Sequence, residues 1–424
     1  EENIREMSFD LFAYKRLKKV VSDCEDRYDL IERQIAGLCD EKLLKEKLSR
    51  DFLDRMEGYL VELEDSLMNF RDVEHRGVVK KEQEIIELFY FKFMDIPLLS
   101  RMDAVAEYFI DEVETLKGFD LPDEERDAVK SRMYETRDLY VLYNRFLKQE
   151  GFPPLPQVQY EKRKLRYEDV YPVLYLKYRL ETQQEDSGVR HLIVDEMQDY
   201  SMIQYLIIQR LFKCRMTILG DREQTMDGEQ QDVLTFLPKI FGKDIRRIVM
   251  NKSYRNTVEI ASYANKLAEI TEVELFERHG KPVVKKEFPG LEEAMESVVR
   301  ELRLEKQAAL AGNAEEGVED IISYETAAVI TRTADEAREA YYVLKEKLEA
   351  EGFDTKERLS LLHRDSTNFK KGLTVTTFYM AKGLEFDQVF SVFPGEDRSP
   401  IVERARYIAA TRALHELYMY EVVK

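Results

Sequence analysis

With 424 residues the chain has room for two or three domains, and 44% hydrophobic with 35% charged residues reads as globular, with long helices. No apolar run approaches the roughly 18–20 residues that cross a bilayer, and the acidic opening "EENIREMSFD" is not a secretory signal, so no membrane association is expected and the cytoplasm is the expected compartment. A net charge of −19 argues against passive coating of nucleic acid, which takes a basic excess, and permits a basic protein partner.

From the N-terminus, "NIREMSFDLFAY" reads as a strand turning into a helix. Residues 41 to 150 are helical: Phe52, Met56, Tyr59, Leu63 and Leu67 recur at three- and four-residue steps with acids between them. A break falls near Pro97, and one further helix is expected over about 123 to 149, carrying Val129, Met133, Leu139, Leu142 and Phe146. "GFPPLP" at 151–156 ends it and marks a boundary. Residues 41–150 hold 27 acids against 18 lysines and arginines, a net of −9. The plainer account is a solvated helical face; the sharper one is an acidic arm that enters a basic cavity on another protein. "YEKRKLR" at 160–166 is a basic stretch read as a solvated helix face.

After residue 156 the texture changes. "VRHLIVDE", "CRMTILGD", "YETAAVITRT", "LTVTTFYMAKG" and "FDQVFSVFPG" are short apolar runs, and helical stretches such as "VEIASYANKLAEI" and "DEAREAYYVLKEKLEAEG" lie between them. Alternating strands and helices predict an α/β fold with parallel sheets. Ligand sites in such sheets form at the carboxyl ends of strands, where Asp195 and Asp221 fall. Segment 286–320 is polar and helix-prone and reads as a surface element. Three cysteines (Cys24, Cys39, Cys214) and five histidines lie far apart with no CxxC, so neither disulfides nor a zinc site is expected.

"HLIVDEMQDY", residues 191–200, is expected to bury His191 to Val194 and then present acids. A nucleoside triphosphate hydrolase needs one carboxylate beside Mg2+ and a second to orient or deprotonate water. Asp195 fits the metal role and Glu196 the base. The bland account is a strand followed by an acidic helix start. Four more stretches follow in order: "TILGDREQT" with Asp221 and Gln224, "NKSYRNT" with Tyr254 and Arg255, "TTFYMAKGLEFDQVF" with Lys382, Gly383 and Glu385, and "ARYIAATRA" with Thr411 and Arg412.

Taken together, these five stretches resemble motifs II to VI of superfamily 1 helicases of the UvrD/Rep type, whose forms are roughly DExQD, GDxxQ, YR(S/T), KGLEFDxV and TRA. The resemblance implies two RecA-like domains with ATP in the cleft between them. It carries Asp195 and Glu196 onto the Walker B pair, with Asp195 on Mg2+. Gln198 and Gln224 match glutamines that couple nucleotide to motion. Tyr254 matches the aromatic that stacks on the base, Arg255 an arginine near the γ-phosphate, Glu385 the ribose contact and Arg412 the arginine finger; Asp221 and Gly383 lie in the same nucleotide-binding motifs. Planar, permanently charged arginines suit the spread charge of phosphoryl transfer. Met197 stands where the family has a small residue.

"EENIREMSFDLFAY", "FLDRMEGYLVELEDSL", "ELFYFKFMDIPLLSRMD", "LRYEDVYPVLYLKYRLE", "SYRNT" and Tyr379 further resemble HelD-type factors, superfamily 1 ATPases of Gram-positive bacteria that bind RNA polymerase. For these the family implies recycling of stalled polymerase, with helical arms reaching into polymerase channels. The expected organisation is 1–40 as part of a first, incomplete RecA-like domain, 41–153 as a large all-helical insertion, 154–248 as the rest of that domain and 249–424 as the second. The expected function is the motor portion of an ATP-dependent, RNA polymerase-associated factor. The alternatives are a helicase or translocase acting on single-stranded or duplex DNA, and a non-catalytic partner-binding module. A phosphate-cradling GxxxxGK[ST] is missing: Gly242-Lys243 and Gly280-Lys281 lack both the upstream glycine and the following hydroxyl residue. With glutamate rather than methionine at position 1, the expectation is a C-terminal fragment without the P-loop and inactive alone, or else a degenerate paralogue.

Overall fold

A computed structural model describes residues 4–182, 188–221, 233–242, 245–250, 252–270, 274–312, 324–364, 366 and 371–423. The chain divides into two compact units. The first holds residues 1–196, 200–219 and 231–243; the second holds 197–199, 220–230 and 244–424. The fold is α/β.

The first unit is mainly helical, and its helices begin where short polar side chains can take a first-turn amide. Ser8, Asp26, Asp40, Ser49 and Asp138 each accept such an N–H. Residues 4–8 form no strand, and the first helix is Phe9–Leu17. Phe52, Met56, Tyr59, Leu63 and Leu67 are all buried, as the 3.6-residue period requires. The helix expected over 123–149 is two, Asp123–Met133 and Leu139–Gln149. Between them Tyr134 bridges Met68, with Glu135 N donating to Leu67 O at 3.0 Å, and this pairing takes the backbone out of the helix. Residues 41–153, expected to be all-helical, also carry one short antiparallel hairpin, Val73–His75 with Val78–Lys80.

The helix Tyr167–Leu180 is buried on nearly every side and organises this unit. One continuous core runs from Ala13 through residues 52–147 to Leu211, so residues 41–153 share their core with the rest of the unit. Two ionic ties converge on the start of the helix Tyr167–Leu180, one from Arg33 and one from Lys47. Arg33 pairs with Glu168 and, at 3.2 Å, with Glu25. Lys47 pairs with Asp169 at 2.5 Å, and Tyr143 Oη donates to the same Asp169 oxygen at 2.6 Å. The "YEKRKLR" stretch is not a helix face: it forms a single turn at Tyr160–Lys162 and then a two-residue strand that pairs in parallel with Asp23–Cys24.

The second unit is built on a six-stranded sheet in the order Leu359–Leu361, Gly372–Thr377, Thr326–Thr331, Phe386–Pro394, Ala413–Val422, Val284–Phe288, with every pairing parallel. Its central strands are buried almost throughout, as a sheet covered by helices on both faces must be. Segment 286–320 is not simply surface. Its first residues end the edge strand, and the helix Leu291–Gly312 inserts Ala294, Met295, Val298 and Leu302 into the core. No helix among the described residues is long and apolar enough to cross a membrane.

The Lys47–Asp169 pair is buried, so removing one partner strands the other. Lys47→Met is expected to cost about 3–5 kcal/mol in denaturant unfolding at neutral pH. The double variant Lys47→Met, Asp169→Leu is expected to recover most of that loss.

Candidate nucleotide-handling site

In the first unit the strand His191–Val194 pairs in parallel with Arg215–Ile218. The expected burial of this strand is half right. Val194 is buried and, with Leu192, Met216 and Ile218, packs against Tyr205, Ile208, Phe236 and Leu237. The opposite face is open: His191 is exposed, Ile193 is 65% exposed and Leu219 46%. The reason is that only one face of this two-stranded sheet is covered by helices.

At the carboxyl end of the strand the chain turns sharply. Asp195 is exposed, and its Oδ1 accepts the Glu196 amide at 2.9 Å. Glu196 has φ of +53°, in the left-handed region that a non-glycine residue enters at a cost of roughly 1–3 kcal/mol. Backbone strain of this kind is concentrated at functional positions, and here it falls on the residue expected to act as base.

The second unit includes the turn 197–199 and Gly220-Asp221. Gln198 is buried, and its Oε1 accepts the Asp221 amide at 3.1 Å. Gly220 is a glycine for lack of space: an added Cβ would lie 2.7 Å from the Met197 amide nitrogen and against the Met197 side chain. Met197, in place of a small residue, therefore packs on the Gly220 backbone. Asp199 pairs with Lys382 at 2.6 Å, with side chains only 10% and 8% exposed. That pair was legible as motif letters but not as a contact. Gln224 lies outside the described residues.

Of the remaining site residues of this unit, Tyr254 and Arg255 follow the carboxyl end of the strand Lys252–Ser253, whereas Glu385 and Arg412 lie at the amino ends of strands. Glu385 immediately precedes Phe386–Pro394, and Arg412 immediately precedes Ala413–Val422. Phe386 N donates to Arg412 O at 2.9 Å, so the two strand starts are joined. Gly383, at φ +84°, makes the left-handed turn that delivers Glu385. Arg255 Nε meets Glu385 Oε1 at 2.6 Å, both side chains being exposed. Tyr254 is 61% exposed. Arg412 is turned inward, only 2% exposed, and donates to Ile408 O and Leu384 O, each at 3.3 Å, and to Thr411 Oγ1 at 3.1 Å.

Sequence reasoning missed two residues that hold this cluster. Asn256 Nδ2 donates to Ala413 O at 2.6 Å, and the Arg278 guanidinium donates to Arg255 O and to Leu414 O at 2.9 Å. Asn256 follows the "SYR" letters directly, which was the available signal; Arg278 had none. Beneath them Glu416, 2% exposed, is bound by Lys281 at 2.6 Å, by Tyr324 and Gln388 at 2.9 Å and by Tyr418 at 3.0 Å. Burial pushes this carboxyl up, but Lys281, Tyr324 and Gln388 outweigh it and hold it below the usual glutamate range.

The residues fit part of what Mg2+ and ATP require. A hard cation that takes its remaining ligands from water and phosphate needs only one or two carboxylates. Asp195 at a strand end could supply one, and no cluster of three metal-ligating side chains occurs among the described residues. The phosphate cradle has no counterpart anywhere in the 424 residues.

Residues 12–226 match the model of the UvrD/REP helicase N-terminal domain, and the chain belongs to that family. Among solved structures, the C-terminal domain of a possible DNA helicase from Lactobacillus plantarum WCFS1 is 21% identical over 40% of this chain and 88% of its own, with a TM-score of 0.29. The PRRSV helicase is 12% identical over 66% of this chain and 45% of its own, with a TM-score of 0.26. Arterivirus nonstructural protein 10 (helicase), in a complex with DNA, is 16% identical over 67% of this chain and 51% of its own, again with a TM-score of 0.26. The chain thus spans about half the length of these viral helicases. No curated protein matched the sequence.

Two outcomes follow from this geometry. Gly220→Ala is expected to cost about 1–3 kcal/mol through overlap with the Met197 backbone, read by thermal or denaturant unfolding. Glu416, held below its unfolded value, contributes stability that is complete above that value and fades as pH falls through its lower folded one. The stability gap between wild type and Glu416→Gln should therefore narrow below about pH 4, measured by denaturation across an acid pH series.

Proposed function

We propose that the chain is the motor portion of an ATP-dependent superfamily 1 helicase-like protein, and that the whole protein works bound to RNA polymerase as a recycling factor. The observation that carries the motor reading is the strained turn at Glu196, which sets two carboxylates at the end of a parallel strand. Bound Mg2+ and ATP would supply the scissile phosphoanhydride and the cation that neutralises it. Asp195 would hold the metal and Glu196 would orient or deprotonate water. In the second unit Tyr254 offers a base-stacking surface, Arg255 and Arg412 offer guanidinium charge, and Glu385 offers a ribose contact. Arg412 reaches a phosphate only by giving up the Leu384 and Ile408 carbonyls, and Arg255 only by parting from Glu385.

The open face of the His191–Val194 sheet supports a further part of this reading. Parallel sheets are stable when both faces are covered, and the open face, where Ile193 is exposed among His191, Arg215 and Thr217, leaves room beside Asp195 for a further element bearing the phosphate loop. We infer that this loop comes from a segment outside the 424 residues. The polymerase reading is favoured over a DNA-only motor by the −9 balance of residues 41–150, since such a surface repels phosphates and suits a basic protein cavity.

The experiment has two arms. The purified chain is expected to hydrolyse ATP far below the roughly 10 s⁻¹ typical of enzymes, and Glu196→Gln should lower what remains by at least about a hundredfold. Ordinary turnover by the chain alone would overturn the external-loop reading, and residual turnover indifferent to Glu196→Gln would overturn the base assignment. In the second arm the whole chain is tested against purified bacterial RNA polymerase and against single-stranded oligonucleotide. Polymerase binding is expected; oligonucleotide binding alone would favour the helicase or translocase. The whole chain is used because residues 41–150 share their core with the rest of the unit.

A further inference from the structure

Two basic stretches more than a hundred residues apart in sequence meet at one joint of the first unit. Residues 15–22 hold four lysines and arginines and no acid; residues 160–166 hold four and one glutamate. Together they carry +7 in a chain whose net charge is −19. Two neighbouring acids are already engaged: Asp138 takes Arg163 at 2.7 Å, and Asp23 takes Lys164 at 3.0 Å. Lys15, Lys18, Lys19, Lys162 and Arg166 are exposed, and among the described residues none of the five makes an ion pair.

The backbone that carries these cations is held firmly. Tyr160 Oη donates to Lys18 O. Arg163 O accepts Ser22 N at 3.0 Å and Ser22 Oγ at 2.8 Å, and the Arg163 guanidinium donates to Val20 O at 3.3 Å. Asp23–Cys24 then pairs in parallel with Lys164–Leu165. Leu17, Val20, Val21 and Leu165 are buried, so the joint offers solvent charge without an apolar centre. Protein interfaces are the reverse, with an apolar core depleted of lysine. Single strands take free aromatic rings on which bases stack. Here Tyr160 is 39% exposed but bound to Lys18 O, and Tyr14 Oη donates to Ser22 O at 3.4 Å, so both rings brace the joint. What remains is a set of ammonium point charges, which suits phosphate. A duplex presents phosphate most densely, at one charge per roughly 1.7 Å of axis.

We propose that this joint binds the phosphodiester backbone of duplex nucleic acid, through Lys18, Lys19 and Lys162 with Lys15 and Arg166 beside them. None of these residues belongs to the five motif stretches, and the site goes beyond the motor reading because it needs no nucleotide. The two stretches flank the acidic residues 41–150 in sequence. A duplex is therefore attracted to the root of the insertion and repelled by the remainder.

The test is fluorescence anisotropy of a short labelled duplex DNA of arbitrary sequence, without nucleotide, titrated with the full chain across about 50 to 200 mM salt. Combining Lys18→Gln, Lys19→Gln and Lys162→Gln is expected to flatten the slope of log affinity against log salt by about three, and to weaken binding at low salt by at least about tenfold. Lys42→Gln, Lys117→Gln and Lys148→Gln, at exposed positions elsewhere in the unit, make the same change in net charge and should leave both quantities nearly unchanged. Equal losses in the two combinations, no loss in the first, or no duplex binding by the wild type overturns the proposal. Tighter binding of the same strand unpaired overturns the duplex assignment. Poly-glutamate is the last arm: if it is bound, with the loss in the first combination, and the duplex is not, the partner is an acidic protein and the proposal falls. ATP hydrolysis, measured separately, should be equal in all three proteins, so failure here leaves the motor reading standing.

Discussion

The second unit is governed by the need to satisfy backbone carbonyls where parallel strands begin. A parallel ladder leaves groups at its ends without strand partners, and buried ones are costly unless bonded. Long side chains take them here: Asn256 takes Ala413 O, Arg278 takes Arg255 O and Leu414 O, and Arg412 takes Leu384 O and Ile408 O. The same contacts bring the Tyr254-Arg255, Gly383-Glu385 and Thr411-Arg412 stretches to one edge of the sheet. Polar satisfaction of the fold and assembly of the chemical groups are therefore one event. Arg412 shows the consequence most clearly, because the guanidinium proposed for phosphate is the group that closes the end of its own helix.

The first unit solves a different problem. Its strands His191–Val194 and Arg215–Ile218 are four residues long and, among the described residues, covered on one face only, and two such strands do not stand alone. Their support comes from a separate small core in which Val194 packs with Tyr205, Ile208, Phe236 and Leu237, while residues 52–147 share a larger core with the helix Tyr167–Leu180. The ionic ties of Glu168 and Asp169 to Arg33 and Lys47 join chain segments more than a hundred residues apart. Residues 41–153 thus belong to the same compact unit as Asp195 and Glu196.

Legibility followed the physics of each element. The 3.6-residue stripe from Phe52 to Leu67 and the apolar runs at 191–194, 215–218, 326–331 and 372–377 were readable because burial imposes a local period. The break at 134–138 was not, since its cause is a bridge to Met68, a residue far away in sequence. "YEKRKLR" looked helical by composition and became part of a strand because Asp23–Cys24 offered a partner. The polar 286–320 segment concealed a core face because long charged side chains dominate its composition while five apolar residues, Ala294, Met295, Val298, Val299 and Leu302, do the packing.

The sequence by itself determined the family, through five short stretches in order whose residue types phosphate chemistry constrains locally, and it determined the alternation of strands and helices. It also supplied the glycines at 220 and 383, though not the separate reasons for them: a close backbone approach at the first and a left-handed turn at the second. Only the tertiary structure decided that Glu196 sits in a strained turn, that Ile193 faces outward, and that Arg255 meets Glu385. These are contacts and torsions set by how distant strands register against one another, and register is a property of the assembled sheet that no local pattern encodes.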